Sequence, residues 1–310
     1  MKKIFILPLV MLVTLLLTAC SNKEYDIVTT LFPQYDITRT IVGDKDISYT
    51  LLLAPGVEAH DFEPTSKQIV TIKNSKLLIY TSDEMEPWVK ALNNNKTVFL
   101  NLEQSASEDH LQAHQRQTKR VDEHDHDHDN LHYWVHLENT LHMINVILEE
   151  IIHLDPDNEA YYTENANQMK REIMALSEQF DQLSSTTPKE IHYIGHNLFS
   201  LLNEEKGLNI TSLTDSFSPD ADPTSTQIQA MLNKIMETSA KFVYFDPLES
   251  VTLANTIKDD LKSKGYEITL LPLHSMHNLS KNQFEDGVTL VSLWQENFTN
   301  LSKSFDLEMI

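Results

Sequence analysis

The chain has 310 residues, 24 basic against 46 acidic side chains (formal net charge −22), 14 histidines, one cysteine and 6 glycines. That charge repels phosphate backbones and excludes nucleic acid as a partner. Scarce glycine, with neither G-x-x-x-x-G-K-[ST] nor G-x-G-x-x-G in the chain, excludes the usual phosphate cradles, and a single cysteine excludes a disulfide framework or a cysteine-based zinc knuckle.

Met1-Lys2-Lys3 is a basic start, and residues 4–18 form an apolar run shorter than the roughly 20 residues that span a bilayer. The run ends in Leu17-Thr18-Ala19-Cys20, which resembles a bacterial lipobox. The expectation is a signal peptide over residues 1–19, cleavage before Cys20 and a diacylglyceryl group on Cys20. Such a tail tethers a chain to the outer face of the cytoplasmic membrane without spanning it. A plain signal peptide with Cys20 incidental is the alternative.

The mature chain alternates. Strands are predicted at 26–32, 46–53, 76–80 and 97–102, with helices at 34–42, 65–74 and 87–92 between them. Residues 103–130 then lose apolar periodicity and read as a surface loop rich in Asp and His, including His124-Asp-His126-Asp-His128. A buried helix is predicted at 137–153. Asp155-Pro156 restarts the helical pattern, and neither Gly nor Pro interrupts it to about Leu183, so one long helix is expected. Strands at 190–194, 209–214, 241–245 and 267–271 follow, with helices at 200–205, 224–238, 252–264 and 286–302. The fold class is therefore α/β. Two lobes are expected, 20–155 and 185–310, each with a mostly parallel sheet flanked by helices and joined by one long helix at 156–184.

Open α/β sheets collect ligands at strand ends. His60, His132, His196 and His274 fall at such ends or at loop edges, two in each half of the chain. Neutral imidazole is the commonest ligand for zinc, and four donors converging from two lobes would close a tetrahedral site. Spacing alone does not select these four from fourteen.

The surrounding words do more. Ile27-Val-Thr-Thr-Leu-Phe-Pro33, Ala54-Pro-Gly-Val-Glu-Ala-His-Asp-Phe-Glu-Pro64, Glu86-Pro-Trp88, His132-Tyr-Trp134, the stretch from His196 to Leu208 and Ser218-Pro-Asp-Ala-Asp-Pro-Thr224 occur in that order. In them the chain resembles, over nearly its full mature length, the metal-binding lipoproteins of bacterial zinc and manganese ABC importers (cluster A-I or cluster 9 solute-binding proteins). The resemblance implies metal ligands at His60, His132 and His196. It puts His274 where many members have a carboxylate ligand, with Asp246, His277, Glu58 or a water as alternatives for the fourth donor. It implies a non-enzymatic monomer that hands Zn(II) to a membrane permease powered by an ATPase. Three or four imidazoles favour zinc over manganese, which prefers oxygen donors; a manganese or iron binder, or a metal-stabilised surface adhesin, are the rivals. Asp61 and Glu63 are candidates to orient the imidazoles. His124, His126 and His128 form a possible accessory metal loop. Zinc affinity is expected to fall as pH drops through the histidine range near about 6.5.

Overall fold

In the computed structural model, residues 24–60, 62–92, 95–105, 132–184, 189–216 and 222–305 are described. The signal segment, Cys20, Asp61, Ser218 and the loop carrying His124, His126 and His128 lie outside them.

In the first half, β1 (Ile27–Thr29), α1 (Phe32–Val42), β2 (Tyr49–Leu51), α2 (Ser66–Asn74), β3 (Leu77–Tyr80) and β4 (Val98–Asn101) build a parallel sheet of order β2-β1-β3-β4. α3 (Leu137–Leu154) and α4 (Glu159–Ser184) follow. The second half has β5 (Ile191–Ile194), α5 (Ser200–Lys206), β6 (Ile210–Ser212), α6 (Ser225–Glu237), β7 (Phe242–Phe245), α7 (Val251–Ser263) and β8 (Thr269–Pro272). It repeats the arrangement as β6-β5-β7-β8, again all parallel. α8 (Lys281–Glu285) and α9 (Leu290–Ser302) close the chain.

The α/β class and the two lobes match the reading of the sequence. The differences are local. The strands are only three or four residues long, because pairing stops where the loops turn away. The helix predicted at 156–184 begins at Glu159, after a 3-10 turn over Pro156–Asn158. The last predicted helix starts at Leu290. Gly287 (φ 72°) breaks the chain, and Thr289 caps the new start by accepting from the Ser292 amide. Thr65, Thr224 and Ser280 cap α2, α6 and α8 in the same way, each with a glutamine three residues on.

α4 has 26 residues, about 39 Å at the α-helical rise. Tyr162, Ala166, Met169, Ile173, Leu176, Phe180 and Leu183 alternate steps of four and three, and all are at most 2% exposed. That stripe is the narrow seam of a helix buried along one side. It packs on α1, α3, α5 and α9, so elements from both halves meet on one helix. Phe180, for example, sets its ring edge-on to Trp294 of α9 at 5.7 Å. The largest core cluster accordingly runs without a break from Ile27 of the first sheet to Trp294.

Gly43 closes α1 at φ 57°, and a Cβ there would run into the Tyr161 hydroxyl of α4. Gly43→Ala is therefore expected to cost about 1–3 kcal/mol from the left-handed backbone and the clash together, read as a shift in the urea midpoint. A midpoint unchanged within error would show that the α1–α4 contact gives way freely.

Candidate metal centre

Every loop that carries a candidate donor leaves the C-terminal end of a parallel strand. His60 follows β2, His132 follows β4, His196 follows β5, Glu249 follows β7, and His274 and His277 follow β8. In each sheet the strand order reverses direction beside the first strand, the crevice where α/β folds bind ligands. In the first lobe that crevice is filled. The Glu86 carboxylate accepts from Thr30 Oγ1 (2.5 Å) and the Ser82 amide (3.1 Å), and Gln34 donates to Thr81 Oγ1. The metal donors of this lobe therefore come from the flanking loops.

The backbone around each imidazole is held tightly. Trp134, fully buried, donates from its indole nitrogen to the Ser275 carbonyl at 2.7 Å, fastening the turn after His132 to the other lobe. His136 accepts the Asn139 amide and caps α3, a role the sequence reading missed. Gly195, just before His196, lies against the Tyr193 ring, where a Cβ would clash. Gly195→Ala should push that ring aside, misplace His196 and weaken metal binding about tenfold, measurable by competition with a chromogenic chelator.

The outcome is a cluster of three imidazoles. His60 Nε2 lies 3.4 Å from His132 Nε2, and His132 Nε2 lies 3.1 Å from His196 Nε2. A tetrahedral zinc ion with Zn–N bonds of about 2.0–2.1 Å needs its donors about 3.3–3.4 Å apart. The three side chains are thus placed nearly as zinc would require. His132 is fully buried and His196 is 4% exposed. Burial, together with the neighbouring imidazoles, pushes His132 well below its ordinary pKa and His196 down to about 3. Both are neutral, as metal ligands must be.

His274 does not join the three. Its Nε2 faces Glu296 at 3.2 Å, and its backbone is held on both sides by Asn297. Met276, at φ 65°, turns the chain just beyond it, and His277 follows. The ring of His277 lies 5.8 Å from that of His60. Asp246 is occupied elsewhere, accepting the Leu248 and Ser275 amides at 2.6 and 2.7 Å. Glu249 was missed in the sequence, where nothing distinguishes it from other surface acids. Its carboxylate reaches His277 Nε2 at 3.0 Å and His196 Nδ1 at 3.5 Å. It can therefore orient the His196 ring by accepting its Nδ1 proton. Burial works against a charge on His277, but Glu249, with Asp246 and Glu58 nearby, outweighs it and holds this imidazole above its ordinary value. Glu63, a further candidate from the sequence, sits exposed just ahead of the Thr65 cap.

Among the described residues two sets of three donors lie within 4.8 Å of one another, His60 with His132 and His196, and His60 with Glu58 and Glu249. A cavity of about 520 Å³ opens beside His196 and Glu249, bounded also by Thr214, Asp222 and Thr256.

Residues 27–304 match the family described as ZnuA, zinc-uptake complex component A, periplasmic. The chain belongs to this family. It is a family of zinc-uptake components, not of enzymes. The high-affinity zinc uptake system protein ZnuA of Bacillus subtilis (strain 168) is 28% identical, over 94% of either chain. The zinc-binding lipoprotein AdcA of Streptococcus pneumoniae is 25% identical over 99% of this chain, which spans 62% of that longer protein. The crystal structure of the metal-dependent lipoprotein YcdH from Bacillus subtilis superposes with a TM-score of 0.72 at 26% identity, covering 91% of this chain and all of that one.

Proposed function

We propose that this ZnuA-family chain captures Zn(II) outside the cytoplasmic membrane and hands it to an ABC permease driven by a cytoplasmic ATPase. It acts as a monomer tethered by a lipid on Cys20. The observation that carries the metal assignment is the Nε2 spacing of His60, His132 and His196, 3.4 and 3.1 Å, which suits a tetrahedral ion held by nitrogen. An all-imidazole trio favours zinc over manganese. The names of the Bacillus subtilis and Streptococcus pneumoniae relatives support the same cargo. His277 serves as the fourth donor, in the place the sequence reading gave to His274, because it is His277 that the turn at Met276 brings beside His60. The loop with His124, His126 and His128 gathers ions loosely next to His132 in sequence.

Calorimetric zinc titrations test this. One tight equivalent is expected, with a Mn(II) competitor displaced. His277→Ala should weaken the site about 10²–10³-fold, one ligand's share of a zinc site, and His274→Ala less than about tenfold. The reverse order would return His274 to the coordination sphere, and tight binding by neither protein nor variant would end the zinc reading.

A further inference from the structure

We propose that Glu58, His60 and Glu249 form a second, outer metal site on which a divalent cation lands before it moves to His60, His132 and His196. The inference rests on the reading of the inner three imidazoles as the zinc site. The outer donors come from both halves of the chain, Glu58 and His60 from the loop after β2 and Glu249 from the loop after β7, yet lie within 4.8 Å of one another.

Burial is graded along the two sets. The Glu58 side chain is 40% exposed, that of Glu249 12% and that of His60 5%, while His132 is wholly buried. Glu249 also borders, with His196, the cavity that opens there, so the outer set has one member on open space.

The chemistry is graded in the same sense. Two carboxylates and one imidazole offset the charge of a divalent cation and replace water oxygens with protein oxygens, without strong preference among metals. Three imidazoles then select for zinc. His60 belongs to both sets, so the ion can keep one protein ligand throughout the transfer. The second carboxylate also spans the step, since Glu249 already touches His196 at 3.5 Å. With one donor in common the two positions exclude each other, so the centre holds one ion at a time.

Glu58→Gln in the full-length protein separates a transit site from simple charge attraction. In stopped-flow mixing with zinc, and in release to excess chelator, both rates should fall about tenfold while the dissociation constant stays within about twofold, because a stepping stone lowers the barrier in both directions. Slower association with unchanged release, and a matching loss of affinity, would be the mark of long-range attraction alone and would overturn the proposal. So would rates equal to those of the unaltered protein. An equilibrium measurement adds a second readout, with Mn(II) as the probe and loss of its free-ion electron paramagnetic resonance signal as the signature of binding. His132→Ala should bind one equivalent more than His132→Ala/Glu58→Gln, and equal numbers would sink the outer site. Tight zinc binding retained by His132→Ala would strike instead at the inner site on which this inference rests.

Discussion

His132→Ala is expected to bind zinc about 10²–10³-fold more weakly than the unaltered protein. Four-ligand zinc sites bind with about 10–16 kcal/mol at neutral pH, so one ligand's share is about 2.5–4 kcal/mol. The Nε2 of His132 lies 3.4 Å from that of His60 and 3.1 Å from that of His196. Its neighbours cannot close the gap, because the turn behind it is fixed by the Trp134–Ser275 bond and by Thr140 Oγ1 donating to the Trp134 carbonyl. Water can fill the vacated position but supplies a weaker ligand in a space shaped for an imidazole. Circular dichroism and the urea midpoint of the metal-free variant distinguish a lost ligand from a lost fold. A dissociation constant within about threefold of the original would remove His132 from the coordination sphere.

The pH dependence should be shallower than ordinary imidazoles would give. Three histidines at about 6.5 would each take up a proton as pH falls, and the affinity would drop with a slope approaching three below that value. Burial lowers His132 and His196, the latter to about 3, so both remain neutral and ready for metal across the range from pH 7.5 to 5.5. The sign is opposite at His277, which Glu249 holds above its ordinary value. As the fourth ligand proposed above, it would release a proton when zinc arrives. The logarithm of affinity should therefore fall with a slope approaching one, rather than three, as pH drops through the raised His277 range. Calorimetry in buffers of different ionisation enthalpy at about pH 6 should show about one proton released, and fewer in His277→Ala. A release near three protons would mean that the buried imidazoles are charged in the metal-free protein.

These two expectations draw on different sources. His60, His132 and His196 stood out in the sequence through the words around them, Glu-Ala-His-Asp-Phe-Glu-Pro, His-Tyr-Trp and Gly-His-Asn. The helix α4 was legible from its run unbroken by Gly or Pro after Asp155-Pro156. Its exact start was not, since Pro156 suits a 3-10 turn as well as a first α-helical turn. That the largest core cluster spans both lobes along the seam of α4, with a smaller cluster in each, was not legible either. His274 and His277 lie three residues apart, and no local pattern says which faces the metal. Glu249 is one acid among 46 until the loop after β7 folds against the loop after β8.

Composition, periodicity and ordered motifs thus determined the α/β class, the long helix and three of the imidazoles, because strand and helix patterns are local and the motif residues are bound to their neighbours in the chain. The tertiary structure decided the rest. It set the Nε2 separations near the edge of a zinc tetrahedron, lowered two imidazoles by burial, turned His274 to Glu296 and His277 to Glu249, and brought Glu249 beside His196 and His60. Each of these depends on contacts between residues tens to hundreds of positions apart, and on the loss of water around them. Neither is written in the sequence at any single position.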